Sequence, residues 1–267
     1  MPNETGDLQD TQLLISGQRI RVWTGGTGTA LLLLHAAWGD ALMSWAPVMN
    51  VLSRDFLVIA PDLPGFGRSG ALRRSTLAAF ASFLRELLDA LKIGLAVVVG
   101  NSFGASVAID FASSFPGRTR RLVLVNGGYM PAAPPLLKRV ITLPVIEPMF
   151  RALMRHMAYS RRVLKGAFAD PSPLSPSLLD RIEQSAERYS QVVFDAWLGQ
   201  TKPQIPPAVP TILLWGAQDT LGTLQYARRV QRWIPGSELR LIEGAGHMPQ
   251  VEKPEVFIAE MKKMRGE

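Results

Sequence analysis

Gly100-Asn101-Ser102-Phe103-Gly104 follows the apolar run Leu95-Ala96-Val97-Val98-Val99 and opens a segment, Phe103 to Phe115, whose apolar residues recur at helical spacing. That succession predicts a buried strand, a sharp turn and a helix. A serine at such a corner is lifted above the sheet with its hydroxyl exposed, and a glycine two residues to either side lets strand and helix pack closely beneath it. Ser102 is therefore the candidate nucleophile. The pentapeptide alone is weak evidence, and its context carries the argument. A serine of this kind requires a carboxylate and then a histidine, in that order, each on a loop after a strand. Pro210 to Gly216 predicts a buried strand that leads into Ala217-Gln218-Asp219, and Glu238 to Ile242 precedes Glu243-Gly244-Ala245-Gly246-His247. Both partners stand in the required order.

The chain has 267 residues, of which 47% are hydrophobic, enough to bury the core of one compact domain carrying an insertion. It has no cysteine, which excludes disulfides, thiol nucleophiles and cysteine-held metals and agrees with a reducing compartment. Three histidines leave little for a metal site. Residues Met1 to Asp10 are polar and acidic and lack a basic start and apolar stretch, and no run of 18 apolar residues occurs. A soluble, cytoplasmic protein without integral membrane association is expected.

The formal charge of +7 is concentrated in residues 136–165, where Lys138, Arg139, Arg151, Arg155, Arg161, Arg162 and Lys165 are accompanied by Glu147 as the one acid. Solvated faces of surface helices account for such a run, with attraction to anionic lipid or an anionic substrate as the alternative. No nucleic-acid motif accompanies it, so a nucleic-acid partner is not expected.

Outward from the serine, strands and helices alternate. Thr11 to Gly25, turning at Ser16-Gly17-Gln18, predicts an antiparallel hairpin, and Ala30 to His35 a fully buried strand. Trp45 to Leu52 has helical spacing, Phe56 to Ala60 reads as a strand, Leu77 to Leu91 as an amphipathic helix and Arg121 to Asn126 as a further strand. Such strand–helix units, with near-continuous Val, Leu and Ile strands, imply a doubly wound, mostly parallel sheet covered on both faces. The alternation breaks between Tyr129 and Pro207, where prolines multiply and helical spacing runs without a strand. This predicts an inserted helical lid over residues 129–205, leaving 1–128 and 206–267 as the core. Tyr129, Met130, Met149, Phe150, Met154, Met157, Tyr159, Phe168, Tyr189, Phe194 and Trp197 supply apolar surface there, either to pack the lid or to line a pocket. Pro203, Pro206 and Pro207 stiffen the return, after which helices are expected at Thr223 to Trp233 and Glu255 to Met264.

These residues resemble the α/β-hydrolase family over nearly the whole chain. Gly100 to Gly104 is similar to its nucleophile elbow, Asp62-Leu63-Pro64-Gly65-Phe66-Gly67-Arg68-Ser69 to its loop after the fourth strand, and Gly246-His247 to its histidine turn. The resemblance implies an eight-stranded sheet and a Ser102–His247–Asp219 triad. His247 would take the serine proton and Asp219 would orient the imidazole. The backbone N–H of Phe103 at a helix start is one expected oxyanion donor. The family's oxyanion loop, His-Gly followed by the donor, maps to His35-Ala36-Ala37 and nominates the Ala37 N–H. Ala36 departs from that pattern: a left-handed backbone there would strain alanine and shift the donor to Trp38. Within the family His35 is expected to brace this loop. His156, beside Arg155 in the expected lid, is read as a surface or packing residue rather than a substrate contact. Trp38, Asn101 and Met248 are the expected substrate contacts.

Gly65-Phe66-Gly67-Arg68-Ser69-Gly70 also fits a dinucleotide fingerprint, with Asp89 nineteen residues on. Pro61 to Pro64 separate it from its strand and the next helix starts only near Thr76, so no helix amino terminus is placed to hold a pyrophosphate. No cofactor or metal is expected. A serine nucleophile argues against the dehalogenase and epoxide hydrolase branches, which use aspartate. Asn101 and Phe103 around the serine look like the hydrolases that cleave carbon–carbon bonds of aromatic ring-fission products. Those usually have tryptophan where Met248 stands, and a lid arginine for which Arg181 and Arg188 are the candidates. A carboxylesterase for small or medium acyl groups, acting as a monomer or homodimer, is the leading expectation. The carbon–carbon hydrolase is the alternative, and a ligand receptor retaining the triad is the alternative of another class.

Overall fold

The computed structural model describes residues 8–15 and 17–264, so Ser16 of the expected turn and most of the acidic amino terminus lie outside the described residues. In chain order the elements are β1 (Gln9–Ile15), β2 (Gln18–Gly25), β3 (Ala30–Leu34), α1 (Ala41–Leu52), β4 (Leu57–Pro61), α2 (Leu77–Ala90), β5 (Ala96–Asn101), α3 (Phe103–Ser114) and β6 (Thr119–Val125). Four helices follow: α4 (Pro135–Ile141), α5 (Ile146–Tyr159), α6 (Arg161–Ala167) and α7 (Pro176–Gly199). The alternation then resumes with β7 (Thr211–Gly216), α8 (Leu224–Trp233), β8 (Glu238–Ile242), α9 (Pro249–Glu252) and α10 (Pro254–Lys262).

The eight strands form one sheet in the order β1-β2-β4-β3-β5-β6-β7-β8. The β1–β2 and β2–β4 pairs are antiparallel and all others parallel. The order reverses between β3 and β5, so the loops leaving their carboxyl ends diverge and open a crevice, the usual ligand position of an open α/β sheet. Those two loops carry Ala37 and Ser102.

Each central strand is apolar on both sides, and successive residues feed opposite layers. Leu32 and Leu34 join the layer of α2 and α3, whereas Leu31 and Leu33 join the layer of α1 and α10. Val98 against Val97 and Val99, and Leu124 against Val123 and Val125, divide in the same way. This explains the near-continuous apolar runs in the sequence. The expected helix at Trp45 starts earlier, at Ala41, because the Asp40 side chain accepts from Met43 N (2.9 Å) and caps it. Short α9, announced by Pro249 at its first position, had no periodic signal of its own.

Among the described residues no strand interrupts 126–210. The basic run there does not remain uncompensated: Arg151 pairs with Glu147 (2.9 Å) and Asp195 (2.8 Å), Arg155 with Glu187 (3.3 Å) and Arg161 with Glu183 (2.8 Å). Most of these acids lie on α7, more than twenty residues further along, which is why the local charge count overstated the excess.

At the corner between β5 and α3, a Cβ on Gly104 would run into the carbonyl oxygens of Leu34 and His35, backbone atoms that cannot step aside. Gly117 faces open space. Gly104→Ala should therefore lower stability by about 2–3 kcal/mol, while Gly117→Ala should stay within about 1 kcal/mol of wild type, as read from urea midpoints. Equal midpoints for the two variants would contradict the close approach.

Candidate active site

Ser102 adopts φ 54° and ψ −112°, one of three non-glycine residues with positive φ among the described residues. The conformation is held from both sides: Ser102 N donates to Val125 O of β6 (3.0 Å) and Ala105 N donates to Ser102 O (3.0 Å). It points the hydroxyl away from the sheet toward His247. His247 Nε2 lies 2.9 Å from Ser102 Oγ, and Nδ1 lies 2.8 Å from Asp219 Oδ2. With the carboxylate facing Nδ1, that nitrogen carries the proton and Nε2 is left to accept from the serine.

Asp219, on the loop after β7, is buried. Burial by itself would raise its carboxyl, but hydrogen bonds from His247, Asn126 and the Gly222 N–H outweigh that and hold it below the usual carboxylate range. Asn126 Nδ2 donates to Asp219 Oδ2 (2.7 Å) while Asn126 Oδ1 accepts from Gly216 N (2.9 Å); Leu221 N (2.8 Å) and Gly222 N (3.0 Å) donate to Asp219 Oδ1. Asn126 has φ 44°, a left-handed backbone that asparagine tolerates better than most residues. Its signal in the sequence is Asn126-Gly127-Gly128 at the end of a predicted strand, a cue for a special backbone that by itself does not point to Asp219.

The loop after β3 bears out the bracing expected of His35. Leu63 N donates to His35 Nε2 (2.8 Å), and Nδ1 lies 2.7 Å from Ala36 O, so the ring is neutral with its proton on Nδ1. Burial drives its pKa below the ordinary histidine value, against an upward pull from the Ala36 carbonyl, Asp62 and Asp40. Ala36 is not among the positive-φ residues, so the departure from glycine introduces no left-handed strain. Two contacts from α5 grip the next two residues: Tyr159 Oη donates to Ala37 O (2.9 Å), and Trp38 Nε1 donates to Ala158 O (3.0 Å). Phe103 is the first residue of α3, so its N–H has no acceptor within the helix and lies at the positive end of the dipole.

Ser102, Phe103, Ala37, Trp38 and His247 open together onto a cavity of ≈ 540 Å³. Of the apolar residues expected to face a pocket, Met130, Met154, Met157, Tyr159, Phe194 and Trp197 line it. Tyr129 packs on Trp233 instead, Phe150 stacks on Trp197, Phe168 stacks on Trp38, Tyr189 packs on Phe66, and Met149 faces solvent. Two expected substrate contacts are corrected. Asn101 is fully buried below the serine, where Nδ2 donates to Val125 O (2.9 Å) and His247 O (3.2 Å) and Oδ1 accepts from Gln250 Nε2 (3.1 Å). As the last strand residue before the turn, it points into the fold and ties the serine corner to the histidine loop. Met248 is likewise core, 1% exposed. His156 is exposed, on the surface side of the two placements expected for it. Arg181 and Arg188 are exposed and off the cavity wall, and Arg188 donates to Gly67 O (2.7 Å).

A strand–turn–helix corner carrying a serine at the switch point of a mostly parallel sheet defines the α/β-hydrolase class of folds. The family profile described as alpha/beta hydrolase fold matches residues 29–254, and the chain belongs to that family. An uncharacterized protein of Mycobacterium tuberculosis is 31% identical over 91% of this chain and 77% of its own length. A 2-hydroxy-6-oxo-2,4-heptadienoate hydrolase of Pseudomonas putida is 28% identical over 92% of each chain. Among solved structures, a thermophilic esterase from Thermogutta terrifontis superposes with a TM-score of 0.76 at 24% identity, covering 96% of this chain and 97% of that one. Family and relatives together mark the protein as a hydrolase, and no helix among the described residues is long and apolar enough to cross a membrane.

Because His35 is neutral when folded and free to take a proton when unfolded, its contribution to stability is complete above the ordinary histidine pKa of about 6.5 and declines as pH falls through that value toward the depressed one. Urea midpoints at pH 8 and pH 5.5 should therefore fall more steeply for wild type than for His35→Gln. Parallel declines would place a charged His35 in the folded protein.

Proposed function

We propose that the protein is a serine hydrolase cleaving carboxylic esters of small or medium, uncharged acyl groups. The observation that carries this reading is the continuous chain from Asp219 through His247 to Ser102, at 2.8 and 2.9 Å, ending in a cavity whose wall, among the described residues, has no Lys, Arg, Asp or Glu side chain. Ser102 Oγ attacks the ester carbonyl carbon as His247 Nε2 takes its proton; the carbonyl oxygen becomes an oxyanion facing the N–H groups of Phe103 and Ala37. Collapse expels the alcohol, which leaves with the proton from Nε2, and an acyl-Ser102 ester remains. Water then repeats the sequence, giving its proton to His247 and releasing the acid as the proton returns to Ser102. Asp219, kept ionised by its donors, stabilises the imidazolium in each half.

Residues 129–205 act in this reading as a lid that shapes the acyl site. Met130, Met154, Met157, Phe194 and Trp197 offer flexible thioethers and broad apolar faces to an alkyl chain. A cavity of ≈ 540 Å³ lies within the range of small-molecule sites.

The carbon–carbon hydrolase reading draws support from the Pseudomonas putida relative, whose name specifies a carboxylate substrate. A buried carboxylate needs a charged or multiply donating partner. The neutral cavity wall, with Arg181 and Arg188 outside it, favours the ester.

The test is hydrolysis of p-nitrophenyl esters of increasing chain length by wild type and Ser102→Ala. Wild type should prefer short and medium chains, and the variant should lose about 10⁴-fold or more in kcat. Activity surviving in Ser102→Ala would refute the nucleophile, and turnover confined to dienoate substrates would move the assignment to carbon–carbon cleavage. Tyr159→Phe, which frees the Ala37 carbonyl, should lower kcat about tenfold with KM little changed, less than the 10²–10³ of removing an oxyanion donor outright. An unchanged kcat would show that the loop holds without that bond.

A further inference from the structure

Helix α5 is amphipathic in the reverse of the usual sense. An amphipathic helix of a globular domain turns its apolar stripe to the core and its charges to water. Here Glu147, Arg151 and Arg155 lie on the side toward α7, where Arg151 pairs with Asp195 (2.8 Å), stacks over the Phe194 ring (4.2 Å) and Arg155 pairs with Glu187 (3.3 Å). The opposite stripe, Met149, Leu153 and Met157 at successive four-residue steps, is 70%, 52% and 58% exposed. Neighbouring α4 and the turn after it add Leu136, Val140 and Val145. Of fifteen large apolar side chains exposed among the described residues, nine lie within 136–157. Surface apolar residues scattered singly are ordinary, whereas such clustering marks an interaction surface.

Two further observations identify the occupant. Met154 and Met157 are both exposed and on the cavity wall, as is Leu221 from the core, so the cavity reaches the surface through this patch. A protein seated there would stopper the site; an aggregate of amphiphiles would feed it. The flank is cationic: α4 and α6 present exposed Arg139, Arg162 and Lys165, whose charged groups have no hydrogen-bond or ion-pair partner among the described residues, while Glu147, the one acid of residues 136–165, is engaged by Arg151. An apolar face rimmed by unpaired cations matches an interface of acyl chains beneath anionic headgroups.

We infer that the outward face of α4 and α5 docks the protein on an anionic lipid–water interface, so that acyl chains enter the cavity from the aggregate. The docking stands on the surface alone; the delivery of acyl chains rests on the ester-hydrolase reading. The test is co-flotation of the full chain with vesicles of phosphatidylcholine, with and without phosphatidylglycerol, using wild type, Ser102→Ala, the pair Met149→Gln with Leu153→Gln, and the pair Arg139→Gln with Lys165→Gln. Wild type and Ser102→Ala should bind phosphatidylglycerol vesicles alike, more weakly at high salt and on phosphatidylcholine alone. The apolar pair should lose about tenfold in partitioning while hydrolysing a monomeric short ester as wild type does, since neither residue lines the cavity. The charge pair should lose the preference for phosphatidylglycerol. No vesicle binding by wild type, or undiminished binding by the apolar pair, overturns the inference. So does dimerisation abolished by the apolar pair without vesicle binding, which would make the patch a contact between copies of this chain. Because Ser102→Ala binding needs no turnover, failure of docking and failure of the ester assignment are read separately.

Discussion

Ser102 stands at φ 54° and ψ −112°, a backbone conformation that costs on the order of 1–3 kcal/mol for a residue with a side chain. What sustains it is the tight meeting of β3, β5, β6 and α3 at one corner. Gly100 lies where a Cβ would strike the Gly104 carbonyl, Gly104 lies against the Leu34 and His35 carbonyls, and the serine N–H is fastened to Val125. Sheet order, helix packing and glycine placement all converge on that contact. Relaxing any of them would let the serine swing out of line with His247.

Electrostatics extends the same constraint outward. Asp219 is buried yet ionised because four donors surround its two oxygens, and the most specific of them, Asn126, comes from the neighbouring strand end. Asn101 performs a comparable service from below, joining the serine strand to the His247 carbonyl and to Gln250. The candidate triad is thus held by a polar network rooted in the sheet, while the apolar cavity above it contributes little charge. Such a division places the candidate triad in a low-dielectric site in which fixed dipoles act strongly.

The four helices between β6 and β7 are tied to the rest of the fold by polar contacts beside the candidate site. Tyr159 and the Ala158 carbonyl hold the loop of Ala37 and Trp38, and Thr220 donates to Gly166 (2.7 Å) beside the acid loop. Any movement of α5 therefore reaches the loop of Ala37 and Trp38 directly. The same helix exposes its apolar stripe at the cavity mouth, so the surface that meets the surroundings and the groups that hold the Ala37–Trp38 loop belong to one helix.

The sequence by itself determined the alternation of strands and helices, the serine corner and the order of its two partners, because apolar periodicity and glycine placement are local properties. The bracing by His35 was legible from the family resemblance. Tertiary structure decided the rest. Which side chains face the cavity depends on how four helices settle over the sheet, and the packing of the β5 end against the His247 loop made Asn101 and Met248 buried supports. Asn126 joined Asp219 across ninety-three residues of chain, a pairing that no local pattern encodes. The excess charge of residues 136–165 was answered in part by α7 acids distant in sequence, which pair with Arg151, Arg155 and Arg161. The outward stripe of α5 emerged only when its charged side was found against α7: periodicity reports that a helix has two faces, and packing alone chooses which one meets water.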